Sequence, residues 1–85
     1  MKLQVLAVFD RAAQAYARPM FLPSIGVGTR SFSDEVNRAS DDNQFYHHSE
    51  DFDLIHLGEF DDHTASFDLL EFPKCIALAR DLKIN

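Results

Sequence analysis

The chain has 85 residues, 46% of them apolar, and a net charge of −6; it suffices for one domain, residues 1–85, with a modest core, and is too apolar to be disordered throughout. Its single cysteine, Cys75, excludes an internal disulfide and a cysteine-rich zinc site within one chain, and fits a reducing compartment. No apolar run approaches the roughly 18 residues of a membrane span, and the apolar stretch near Met1 lacks a small-residue cleavage site, so neither a membrane segment nor a signal peptide is expected.

Residues 2–9 alternate as a strand, with Leu3, Val5, Ala7 and Phe9 on one face and Leu6 and Val8 on the other. Both faces are largely apolar, which predicts a central strand covered on two sides. A turn is expected at Asp10-Arg11. Residues 15–22 read as a returning strand, broken or at an edge because Pro19 removes a ladder donor; the Ala-rich residues 11–17 also suit a short helical turn.

Pro23 to Gly28 reads as a loop with two glycines, followed by a helix capped by Thr29 or Ser31 and ending near Arg38 to Ser40. Asp34 and Glu35 then fall in its first turn, and Phe32, Val36 and Ala39 form its apolar stripe. Residues 40–51 are the most polar segment and read as a long exposed loop. Phe52 to Phe60 is the next strand, with Leu54 and Phe60 facing one way and Ile55 and Leu57 the other. A turn at Asp61 to Thr64 leads into a strand from Ala65 to Leu70. Pro73 is placed to open a final short helix, with Cys75, Leu78 and Leu82 as its core stripe. The expected architecture is α+β: a small antiparallel sheet of three or four strands with two short helices.

One internal echo stands out. Phe9-Asp10 is followed by an aromatic at Tyr16, and Phe60-Asp61 by one at Phe67, both seven residues after the Phe. Shared hairpin geometry explains it: the aromatic before the turn faces one after it, and the Asp side chain caps the turn backbone.

No catalytic constellation emerges. His47 and His48 are adjacent and point to opposite sides of an extended chain, and no His-x-x-x-His or Cys-x-x-Cys spacing occurs, so no metal or other cofactor is expected. The carboxylates Asp51, Asp53, Glu59, Asp61, Asp62 and Asp68 sit beside turns and at polar strand positions, where solvated acids belong. Gly26-Val27-Gly28-Thr29 lacks the following Lys-Ser/Thr of a phosphate loop, and turn glycines account for it better.

The charge is uneven. Residues 34–72 hold twelve of the fourteen acids, whereas residues 1–33 carry Lys2, Arg11, Arg18 and Arg30 against Asp10 alone. The front third interleaves these bases with rings, and Arg11, Tyr16, Arg18, Phe21 and Arg30 are therefore the candidate contacts to single-stranded nucleic acid, cations for phosphates and rings for bases. An acidic chain repels nucleic acid unless its cations share one face. The acidic middle segment suits instead a protein–protein adaptor.

In order along the chain, several stretches resemble the nonstructural protein of gokushovirus-like members of the Microviridae, small phages with single-stranded DNA. They are Met1 to Val5 with Phe9-Asp10; Phe21-Leu22-Pro23 and Gly26; Thr29 to Asn37, with Arg30, Phe32 and Asp34 in step; and Asp51 to Asp62, containing Gly58-x-Phe60-Asp61-Asp62. The resemblance spans nearly the whole chain. It departs at Ala65, where such proteins often have Gly, and at Gln44 to His48, where a Pro-containing loop is usual. It implies a non-virion accessory protein of the host cytoplasm, acting in viral DNA synthesis or packaging. Single-stranded DNA is the implied ligand, and host replication proteins or phage capsid proteins are the alternative partners. It brings no catalytic residue. A homodimer is expected as well, because ten aromatics and two largely apolar strand faces exceed what a chain this short can bury.

Overall fold

Strand β1, Lys2–Asp10, runs through the middle of the sheet in the computed structural model, which describes residues 1–84. Val5, Leu6, Ala7 and Val8 are each no more than 5% exposed, so both faces of β1 are covered at mid-strand, as the apolar alternation predicts. β4 (Phe52–Asp61) pairs antiparallel with one edge of β1, while β2 (Ala15–Tyr16) and β3 (Met20–Leu22) share the other. β5 (Ser66–Leu78) pairs antiparallel with β4 and closes the order β2-β1-β4-β5, with β3 beside β1. The fold is α+β, with a five-stranded antiparallel sheet and three short helices, α1 (Ile25–Val36), α2 (Gln44–His47) and α3 (Ala79–Leu82). Both counts exceed the expected three or four strands and two helices.

The extra elements have local causes. Pro19 has no N–H, so the expected strand over 15–22 splits into β2 and β3 around Ala17–Pro19. Residues 11–17 do not coil into a helical turn; Arg11–Gln14 form a hairpin turn instead. The polar segment 40–51 is not a loop throughout. Asn43 is only 5% exposed and organises it: its Nδ2 donates to the carbonyls of Glu35 (2.8 Å) and Arg38 (2.8 Å), and its Oδ1 accepts from Phe45 N (3.1 Å). One side chain thus closes the end of α1 and starts α2. A 3-10 turn, Ser49–Asp51, then leads into β4.

Helix α1 begins earlier than expected. Ser24, not Thr29 or Ser31, is the N-cap, accepting from Val27 N at 3.1 Å, and the helix ends at Val36 with Asn37 as its C-cap. Gly26 and Gly28 are therefore helical, and Asp34 and Glu35 lie in the last turn rather than the first. Gly28 costs helix propensity but lets α1 sit directly on the sheet, since a side-chain carbon there would collide with Leu6 and lie 2.9 Å from Leu22 Cδ1. Gly28, Phe32 and Val36 form the buried stripe, and Phe32 and Val36 join Leu6, Val8, Phe52, Leu54 and Ala79 in the core. Phe45 packs against this cluster, its ring 4.6 Å from Phe52 and 5.8 Å from Phe32.

The C-terminal third differs most. Pro73 does not open a helix: β5 continues to Leu78, and only Ala79–Leu82 turn helical. Opposite the single residue Leu57, β5 spends Leu70 to Pro73 on a wide bulge, the setting in which a strand tolerates Pro. Cys75 is accordingly an exposed strand residue rather than part of a helix stripe.

The hairpin echo is present in full. Phe9 pairs with Tyr16 and Phe60 with Phe67, each with ring centroids 4.8 Å apart. Asp10 Oδ1 accepts from Ala12 N (3.0 Å) and Ala13 N (3.3 Å), and Asp61 Oδ1 accepts from His63 N (2.9 Å). Each four-residue turn closes on a left-handed residue, Gln14 (φ 56°) and Ala65 (φ 58°), which for a residue with a Cβ costs about 1–2 kcal/mol. Ala65→Gly should therefore raise stability by about 0.5 kcal/mol, the strain relief less the added freedom of the unfolded chain. Gly58→Ala should lower it by about 2–3 kcal/mol, because Gly58 has φ +152° and its new Cβ would meet the Asp68 carbonyl and lie 2.6 Å from Leu69 Cα. Urea denaturation of the two variants beside the parent checks both signs.

Candidate functional site

The helices all pack on one side of the sheet, and strand register fixes what the other side carries. Residues paired across strands share a face. Leu6, Val8, Phe52 and Leu54 face the helices; Leu3, Val5, Ala7 and Phe9 of β1 face away. Their partners on the open side are Phe60, Gly58, Ile55 and Asp53 of β4, Phe21 of β3 and Tyr16 of β2. β5 adds Phe67, Leu69, Cys75 and Leu78. Ring contacts confirm the arrangement: Phe21 lies 5.4 Å from Phe60 and 6.1 Å from Phe67.

This face depends on a bulge. Val5 pairs with Gly58 but Leu6 pairs with His56, so Leu57 is an extra residue in β4. One extra residue reverses the alternation beyond it. Phe60 therefore faces the same way as Ile55, not Leu54 as simple alternation predicts. The helix side beyond α1 receives polar groups instead: Gln4 Nε2 donates to Glu59 Oε2 (3.1 Å), and His56 Nε2 lies 2.9 Å from Gln4 Oε1.

The open face is apolar at almost every position. Tyr16, Phe21, Phe67 and Leu69 are 46–61% exposed. Its one charged group of the paired set, Asp53, is 9% exposed, and the Arg11 guanidinium lies 3.7 Å from its Oδ1, which has no hydrogen-bond partner among the described residues.

The five nucleic-acid candidates do not form one site. Tyr16 and Phe21 share the open face, and Arg18 lies in the link Ala17–Pro19 between them. Arg11 is committed elsewhere: its backbone N donates to the Asp51 carbonyl (2.8 Å), and its guanidinium donates to the Glu50 carbonyl and faces Asp53. Arg30 projects from the exposed side of α1, on the opposite side of the sheet from Tyr16 and Phe21. Arg18 is thus left as the cation next to the exposed rings. Phe67 and Leu69 are the surface residues that the sequence did not mark; the Phe60–Phe67 echo gave the signal, but the face they share was set by the bulge.

Two smaller features belong here. His48, Glu50 and Asp51 bring donor atoms within 4.8 Å of one another around the 3-10 turn, but His48 and Glu50 are exposed and all three are solvated surface groups. Cys75 lies beside Ile55 on the open face. Packing around its sulfur, and then the Asp53 carboxylate, hold the thiol above its ordinary pKa.

The family described as phage ORF5 protein matches residues 3–82. No curated protein and no solved structure matches the chain.

Arg11 should behave as a structural residue. Arg11→Ala is expected to destabilise the fold by about 2 kcal/mol, because it leaves a largely buried carboxylate without its counter-charge, and the shift is read from the urea midpoint. The raised thiol pKa means less thiolate at pH 8, so Cys75 should react with a disulfide reagent more slowly in the folded protein than in urea. Equal rates in the two states would show the thiol to be unperturbed.

Proposed function

The chain belongs to the phage ORF5 protein family, and from that premise we propose that it is a non-enzymatic accessory protein that acts through protein contacts made by the open face of its sheet. The carrying observation is the face itself: on the side away from the helices Tyr16, Phe21, Phe67 and Leu69 are exposed and Leu3, Phe9 and Phe60 partly so, around the buried Val5 and Ile55, with Asp53 and Arg11 facing each other at one end. Uncovered apolar area of this kind marks a protein docking surface. The strongly acidic 34–72 segment works against phosphate backbones at long range. The resemblance to gokushovirus nonstructural proteins supports a role in viral DNA synthesis or packaging, with host replication proteins or phage capsid proteins as the partners, in the host cytoplasm.

Direct binding of single-stranded DNA is the second reading, supported by the exposed rings of Tyr16 and Phe21 beside Arg18. A salt titration with single-stranded and duplex oligonucleotides separates the two. Protein-directed function is supported by an absence of binding at about 50 mM salt. Direct DNA function requires a preference for single strands and a log–log salt slope of about −0.7, that of one phosphate, lost in Arg18→Ala and kept in Arg30→Ala. That result would overturn the proposal. In infected cells, Leu69→Asp is expected to cut the yield of packaged viral DNA at least tenfold while leaving the protein folded.

A further inference from the structure

Building on the reading of the open face as a protein-docking surface, we infer that its occupant is a second copy of this chain, with the two sheets packed face to face about a two-fold axis.

Area is the first argument. The exposed fractions of Tyr16, Phe21, Phe67 and Leu69, with the partly buried Leu3, Phe9, Phe60 and Leu78 and the exposed Cys75, amount to roughly 500 Å² of accessible surface per copy. Two copies bury about 1,000 Å² from these residues alone, which reaches the threshold of a specific interface before any rim is counted. Sheets pack face to face at about 10 Å by interleaving such side chains.

Charge is the second. The chain carries −6, and a contact between two copies must keep like charges apart. The open face does so, because Asp53 is buried against Arg11 at one end and the remaining paired positions are uncharged. A basic partner would find no exposed acid among its paired positions, and a nucleic acid only Arg18, in the link between β2 and β3 at its margin. A neutral, apolar patch is self-complementary without further design.

The free edge of β5 does not offer an equivalent contact. It is interrupted by the bulge Leu70 to Pro73, lacks one N–H at Pro73, and carries Glu71 and Lys74 beside it. These are the devices that keep an edge strand from pairing with another.

Sedimentation equilibrium of the full chain from about 1 to 100 µM is the test, with Phe67→Asp, Leu69→Asp and the conservative Phe67→Leu beside the parent. Because both wild-type residues are exposed, all three variants are expected to keep the parent's far-ultraviolet circular dichroism. The parent should dimerise with a dissociation constant in the micromolar range; each Asp variant should weaken it at least 100-fold, since two-fold symmetry counts every substitution twice. Phe67→Leu should stay within tenfold of the parent. Independently of any variant, the labelling rate of Cys75 should fall at least fivefold across that range, because its thiol enters the interface.

A parent that stays monomeric at 100 µM, with a constant labelling rate, overturns the dimer. If that monomer also ignores DNA, protein contact stands with a different partner; if it binds single strands through its rings, both proposals fall. A dimer that persists unchanged in both Asp variants would place the contact elsewhere and also overturn the inference.

Discussion

Between Val5 and Leu6 the partner strand β4 skips from Gly58 to His56, leaving Leu57 unmatched. Side chains alternate with a period of two, so one unmatched residue reverses the direction of everything beyond it. Phe60 is thereby carried to the side away from the helices, and Phe67, its cross-strand partner, goes with it. Gly58 supplies the backbone freedom: at φ +152° and with the β5 backbone pressed against it, no side chain fits there. Had β4 kept its alternation, the rings at the far end of the sheet would lie on the helix side, where Gln4, His56 and Glu59 now form a polar cluster.

The core on the helix side is built economically. Gly28 brings α1 close enough for Phe32 and Val36 to meet Leu6, Val8 and Leu54, each such burial being worth about 1.5–3 kcal/mol. Two asparagines satisfy the ends of the short elements. Asn43 joins the end of α1 to the start of α2, and Asn37 donates to the carbonyls of Ser33 (2.9 Å) and Leu82 (3.0 Å) while accepting from Ile84 N (2.7 Å). Lys83 adds a donor to the Tyr46 carbonyl (2.9 Å) with its ammonium 4.1 Å from the Tyr46 ring centroid. The three helices, none longer than 12 residues, are thus held by tertiary hydrogen bonds rather than by intrinsic propensity.

One side of the sheet is therefore covered by helices, while the other leaves Tyr16, Phe21, Phe67 and Leu69 exposed around a buried centre. A short chain lacks the material for a second covering layer. The open side is smooth in charge, and the acids gather on loops, turns and the helix side. The apolar face is thereby set apart from the acidic surround, and the bases that would offset the acids are dispersed. Arg11 is held by Glu50, Asp51 and Asp53, and Arg30 points from the far side of α1.

Whatever depends on neighbours within a few residues was legible along the chain. Alternation in 2–9 defined β1 and its two faces; the seven-residue spacing of Phe9–Tyr16 and Phe60–Phe67, with Asp10 and Asp61, defined both hairpins down to their capping oxygens; and Pro19 broke the second strand where its missing N–H required. Motifs along the chain were enough to place it among phage proteins. What lay beyond reach was everything set by distant partners. Gly28 reads as a loop residue until Leu6 and Leu22 are beneath it. Pro73 reads as a helix start until β4 is beside it to hold a bulge. Asn43 reads as one more polar loop residue until the end of α1 is within 2.8 Å. Arg11, Arg18 and Arg30 read as a cluster because they are close in sequence, and only the folded sheet, by committing the first and turning the last to its opposite side, decided that they are not one. Composition fixes how much apolar surface a chain has, but the pairing of strands across long sequence separations fixes which side it faces.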